Sequence, residues 1–214
     1  MIETRLNKIK TSPRSQDEEA LVKFAVSQGA TEALILSAED ISTDEKLARF
    51  CVTPGCENYG QSKSCPPHVE GPATFTQWLS TYTRALFFKI EVPSELLFSH
   101  DRRELFELLH RATAAIEIEA KTMGYSRAKG FAGGSCKATF CYDKLICRVI
   151  GAKEGKEPLQ KGTCRFPDAA RPSMSGYGVN VSGLIATAGW DKEPLMDGEP
   201  SKKTAGLYGL VLIR

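Results

Sequence analysis

The sequence predicts an α/β fold, a central sheet flanked by helices, with cysteine-rich metal-binding loops at about residues 51–67 and 133–167. Three observations carry this. Apolar runs of strand length stand at residues 33–36, 85–90 and 207–213. Between them lie stretches whose apolar residues recur at helical spacing. Seven cysteines fit neither pattern and sit in two groups among prolines and glycines. At 214 residues, 42% hydrophobic and 25% charged, the chain reads as one α/β domain over residues 1–214.

The elements follow in order. Ser15-Gln-Asp-Glu18 is a capping box ahead of a stripe at Leu21, Phe24 and Ala25, with Gly29 as the stop. Ala33-Leu-Ile-Leu36 follows as a buried strand, and Ala85 to Ile90 as a second strand ended by Pro93. A long helix is expected from about Asp101 to Gly124, its core stripe made of Leu105, Leu108, Leu109, Ala112 and Ile116. His110 belongs to the solvated or structural face of that helix. Residues 126–132 form a short strand that delivers Gly133-Gly134 and the second cysteine group. Asn180 caps a short helix through Val181, Leu184, Ile185 and Ala188. Residues 207–213 are so continuously apolar that they suit the centre of a sheet. No repeat or low-complexity linker divides the chain.

Charge excludes little but asks for little. Twenty-eight Lys and Arg are interspersed with 26 Asp and Glu, a net charge of +2 without a basic stripe, so no nucleic-acid partner is expected. No apolar run approaches the ~20 residues of a membrane span, and the charged opening segment lacks the apolar stretch of a secretory signal. A reducing cytoplasm is the expected compartment.

In such a compartment free thiols serve metals rather than disulfides. Cys51, Cys56 and Cys65 are spaced x4 and x8; Cys136, Cys141, Cys147 and Cys164 are spaced x4, x5 and x16. The Cys-x2-Cys knuckle common in structural zinc sites is missing. Loose spacing suits an iron–sulfur cube, whose iron corners stand farther apart than the ligand positions around one ion. Four cysteines can close a [4Fe-4S] cluster, whereas Cys51, Cys56 and Cys65 hold three irons and leave a fourth open to a small substrate. Zinc stays the alternative metal, because His68 would complete a Cys3His set with the first group. Arg165 and Arg171 flank the last cysteine, with Tyr177 close behind, and Tyr59 lies between Cys56 and Cys65. With His68 these are the candidates for substrate contact or cluster tuning. Lys153, Lys156 and Lys161 could dock an acidic electron donor such as a ferredoxin or flavodoxin. No phosphate loop, nucleophile elbow or His-Glu-x-x-His helix occurs.

A longer pattern runs through these residues. Cys51-x4-Cys56-x2-Tyr59-Gly60-x4-Cys65-Pro-Pro is followed by Gly133-Gly-Ser-Cys136. Cys164-Arg-Phe-Pro-x3-Arg171-Pro-Ser-Met-x2-Tyr177-Gly-Val-Asn-Val181, Ala188-Gly-Trp190 and Tyr208-Gly-Leu-Val-Leu-Ile213 complete it. In this order the motifs resemble the predicted metal-binding proteins of domain of unknown function 2284, from about residue 15 onward. The resemblance implies a cytoplasmic protein, typical of anaerobic bacteria and archaea, whose cysteines hold metal or iron–sulfur. Relatives crowd the second group as Cys-x2-Cys-x2-Cys; here Cys141 and Cys147 are displaced and the loop to Cys164 is longer. The expected function is a redox protein in which the four-cysteine cluster relays electrons to the three-cysteine cluster. The alternatives are a non-redox Lewis-acid or sulfur-transfer enzyme of desulfidase or dehydratase type, and a zinc-stabilised binding module.

Overall fold

The computed structural model describes residues 15–155, 163–190 and 204–214. Its framework is a four-stranded sheet in the order β1 (Glu32–Ser37), β2 (Arg84–Pro93), β4 (Thr204–Ile213) and β3 (Lys129–Ala132). Every pairing is antiparallel. β4 pairs on both sides, which is why its sequence is apolar almost without interruption: residues 210–213 are all fully buried.

Alternation along the strands sends successive side chains to opposite faces. Ile35, Leu86, Phe88, Ile90, Val211 and Ile213 face one core, which is covered by helices α1 (Gln16–Ser27) and α4 (Arg102–Thr122). Leu36, Phe87, Leu210, Leu212 and Phe131 face the other core. That side is covered by α3 (Gly71–Leu79), a 3-10 turn over Ser175–Tyr177, and α7 (Val181–Thr187). The result is a mixed α/β sandwich with the sheet in the middle layer.

The expected caps form. The Ser15 hydroxyl accepts from the Glu18 N–H, and the Glu18 carboxylate accepts from the Ser15 N–H. The same carboxylate takes Arg84 Nε at 2.9 Å, fastening α1 to the edge of β2. Asn180 Oδ1 accepts from the Gly183 N–H at 2.9 Å to start α7. The short strand begins at Lys129, three residues later than expected, because residues 124–128 are used to turn the chain back from α4.

His110 lies on the packed side of α4, not the solvated one, and is fully buried. It belongs to a polar seam between α4, β3 and the segment ahead of residue 172. Its Nδ1 accepts from the Arg171 N–H at 3.2 Å, so that the ring's proton sits on Nε2. The Arg171 guanidinium donates to Glu117 Oε2 at 2.7 Å and to the carbonyls of Pro167 and Ala170. Glu117 also accepts from the Gly130 N–H at 2.8 Å and pairs with Lys121.

The expectation of cysteines carried on plain loops needs correction. α2 (Glu45–Arg49) runs straight into one π-helical turn, Cys51–Gly55, closed by Cys56 N–H donating to the Cys51 carbonyl at 3.1 Å. Cys136 is the first residue of α5 (Cys136–Phe140), and Cys147 caps α6 (Arg148–Lys153). Helices of five or six residues contain too few turns to print an apolar stripe in a sequence.

Candidate functional site

Three stretches of chain meet beside the end of β3. The Ala132 N–H donates to the Pro172 carbonyl at 3.0 Å, and the Met174 N–H donates back to the Ala132 carbonyl at 3.1 Å. On its other side this strap is held by the Ser173 N–H donating to the Ser64 carbonyl at 2.9 Å. Residues 64, 173 and 132 therefore stand in a row, and Cys65 and Cys136 follow from its two outer members. A further tie fixes the way into the first cysteine group: the Asp44 N–H donates to the Gly178 carbonyl at 2.8 Å, just ahead of α2. Only glycine fits at 178, because its φ is +65° and a Cβ would lie 2.5 Å from the Asp44 carbonyl oxygen.

The first group opens onto a cleft of about 650 Å³. Cys51, Cys56 and Cys65 line one wall together with Phe50 and Tyr59. The N-terminal turn of α4 forms a second wall with His100, Arg102, Arg103 and Phe106. The start of α5 and the strap to Ser182 close the rest. Gly134 shapes the floor: its φ is +77°, and a Cβ there would stand 2.5 Å from the Phe106 ring.

The second group surrounds a small hollow of about 20 Å³, lined by Cys136, Cys141, Cys147 and Cys164 with Ser62, Arg148 and Arg165. Phe140 and Phe166 stack beneath it at 5.1 Å, and Cys136, Phe140 and Ala169 form its buried floor. The Phe166 N–H donates to Cys164 Sγ at 3.4 Å. The Ser62–Cys65 stretch is the partition between hollow and cleft, since Ser62 lines the first and Cys65 the second.

The thiols influence one another within each group. Burial raises the Cys51 thiol pKa, and negative charge on Cys56 and Cys65 raises it further. Burial pushes Cys136 up to about 11, against the hydroxyls of Ser64 and Ser62 that favour its thiolate. Cys65 and Cys164 add to the rise at Cys136, so it is felt from both groups. Cys141 is raised by burial and, less strongly, by Cys164 and Cys147, while Arg165 opposes the shift. A cluster of thiols that raise one another's pKa is a site that favours positive charge among them. Among the described residues, two polar atoms at the hollow have no hydrogen-bond partner: Ser62 Oγ, which completes no bond of normal geometry, and Arg148 Nε. Seven free thiols in two groups, with donors waiting beside them, fit a sulfur-ligated metal or cluster. Among the described residues, no three of His, Cys, Asp and Glu converge closely enough to hold a single metal ion.

The other candidates part company. Arg165 lines the hollow and donates to the Ile146 carbonyl at 3.0 Å. Tyr59 lines the cleft. His68 is exposed, and its Nε2 meets the Gly60 carbonyl at 3.3 Å, outside the cleft lining. Arg171 is engaged by Glu117 in the buried seam, and Tyr177 packs among Phe75, Trp78 and Phe131 in the core. Burial and Glu70 raise the Tyr177 phenol to about 12. Lys153 is exposed at the end of α6, whereas Lys156 and Lys161 lie outside the described residues. Sequence reasoning passed over Arg102, Arg103 and Ser135. The Arg102-Arg103 pair at the start of a predicted helix was a legible sign, and nothing local singled out the serine.

Fold and site together define a mixed α/β protein with its thiols gathered around two adjoining hollows. The chain belongs to the family described as "Predicted metal-binding protein (DUF2284)", whose profile matches residues 34–213. No curated protein and no solved structure matches it. No helix among the described residues is long and apolar enough to cross a membrane.

Proposed function

We propose that this is an iron–sulfur redox protein with two [4Fe-4S] clusters. One cluster is held by Cys136, Cys141, Cys147 and Cys164, and the other by Cys51, Cys56 and Cys65 facing the cleft. The observation that carries the reading is the division of the thiols: four around a nearly closed hollow, three on the wall of an open cleft. Two groups of thiols around two adjoining hollows, at chain spacings looser than a zinc knuckle, suit polynuclear groups better than one zinc ion. When bound, the enclosed cluster supplies one-electron transfer, and the three-cysteine cluster supplies an iron with a free coordination position.

The chain's own residues do the rest. Arg165 and the Phe166 N–H place positive charge and a hydrogen bond against the inner thiolates, which favours the reduced, more negative state. Phe140 and Phe166 keep water from the inner hollow. The Ser62–Cys65 partition keeps the two sites one turn of chain apart, the Cys65 N–H donating to the Ser62 carbonyl at 3.2 Å. Exposed Tyr142, Leu145 and Lys153 beside the inner site form the face for an acidic donor of the ferredoxin or flavodoxin kind. His68, turned to Gly60, leaves the fourth position of the outer site to a small substrate.

Iron, sulfide and zinc analysis of anaerobically purified protein tests this. About eight irons and eight sulfides per chain are expected, with one paramagnetic signal that responds to added small ligands. Colourless protein with stoichiometric zinc overturns the reading.

A further inference from the structure

The cleft has a wall that metal binding does not use. His100, Arg102 and Arg103 stand across from the cysteines, and Glu57 is the one carboxylate among the described lining residues. Neither arginine forms an ion pair among the described residues. Each lies over an aromatic ring instead, Arg102 above Phe106 at 5.5 Å and Arg103 above Tyr142 at 4.3 Å. An arginine held against a ring rather than a carboxylate keeps N–H groups to meet an incoming carboxylate in the fork geometry that Arg alone offers. Two cations side by side at a cavity mouth, with no ion-pair partner among the described residues, are a place for an anion to bind.

Apolar side chains supply much of the remaining lining of the cleft, beside serines and Asn180. Leu47, Phe50, Val179 and Val181 line it with Phe106, and Phe50 is 63% exposed. A large ring left that open at a cavity mouth marks a contact surface rather than core. Among the polar lining residues Ser135 stands out: it is only 6% exposed, and its hydroxyl has no hydrogen-bond partner among the described residues. A buried hydroxyl without a partner is a cost that a bound acceptor removes.

We infer that the cleft binds a carboxylic acid with an apolar body, its carboxylate gripped by Arg102 and Arg103 and its apolar part laid toward Cys51, Cys56 and Cys65. This deepens the proposed function, on which it rests, by naming the class of substrate that the outer site would meet.

Calorimetry on the anaerobically prepared full chain tests it, using 4-biphenylacetate and its uncharged twin 4-biphenylacetamide as probes. The acid is expected to bind at least about tenfold tighter than the amide. In the Arg102→Ala/Arg103→Ala double variant the two probes should bind alike, while the Arg102→Lys/Arg103→Lys pair keeps part of the preference. Equal binding of acid and amide to the unaltered chain overturns the inference, as does a preference that survives both alanines. Displacement of the acid by inorganic phosphate at similar concentration overturns it too, because the apolar body would then contribute nothing. Iron content of the same samples separates the two readings. A preference in iron-free protein keeps this inference and removes the clusters; iron without a preference removes this inference alone.

Discussion

Glu117→Ala removes the centre of the buried seam that holds the strap behind the cysteine sites. The carboxylate serves Arg171 Nε at 2.7 Å and the Gly130 N–H at 2.8 Å, and pairs with Lys121. Lys121 is 42% exposed, so losing that pair costs little. The Arg171 side chain is 10% exposed, and stranding its charge costs about 3–5 kcal/mol. The orphaned Gly130 N–H adds about 1–3 kcal/mol, but both partners share one carboxylate and the two costs overlap. We expect a loss of about 4 kcal/mol, or a fall of about 8–16 °C in Tm for a chain of this size. Thermal unfolding followed by circular dichroism and a urea titration measure it. Glu117→Met/Arg171→Met should regain at least about 1 kcal/mol over the single variant, because two apolar side chains strand no charge. A single-variant shift below about 2 °C, or a double variant no more stable than Glu117→Ala, refutes the reasoning.

Other outcomes follow from the same geometry. Burial, and then Arg171, depress the His110 imidazole to about 4. Between pH 6.5 and about 4 the unfolded chain therefore binds a proton that the folded one refuses, and stability falls with pH by about 3 kcal/mol in all. Urea titrations across that range should show this slope, and His110→Asn, which keeps an acceptor for the Arg171 N–H, should flatten it. Gly134→Ala forces a Cβ into the Phe106 ring at a left-handed φ and should cost about 1–3 kcal/mol in thermal unfolding. Cys164→Ala should remove about four irons per chain and Cys56→Ala a separate set of about four, read by metal analysis and by loss of one or the other paramagnetic signal. Chelation of either metal load should leave the far-ultraviolet dichroism largely intact, because the two sheet cores contain none of the cysteines.

The framework was legible because its signals are local and repeated. The Ser15 box, the long stripe of α4, the Asn180 cap and the apolar run of β4 each state their own conformation over several residues. Pairing partners were not legible: nothing in residues 207–213 says that they separate residues 84–93 from 129–132. Leu108 shows the limit of a stripe, since it fits the periodicity of α4 and is nonetheless 41% exposed. The cysteines announced themselves by composition, and the division into four and three by chain spacing. Arg171 was misleading because proximity to Cys164 in sequence says nothing of the carboxylate at Glu117, which the fold brings from 54 residues away. Arg102 and Arg103 were overlooked because only tertiary contacts reveal that no acid among the described residues meets them.

The position of β4 also sets an order of events during synthesis. Among the described residues, β3 has no partner in the sheet other than residues 204–213. Until those residues are made, β3 has only α4 and the strap at residues 172–174 to lean on. Closing the sheet is thus a long-range step, slow by the logic of sequence separation. A truncation that removes β4 therefore takes away the sheet partner of β3, the strand that leads into the second cysteine group, even though every cysteine is still present.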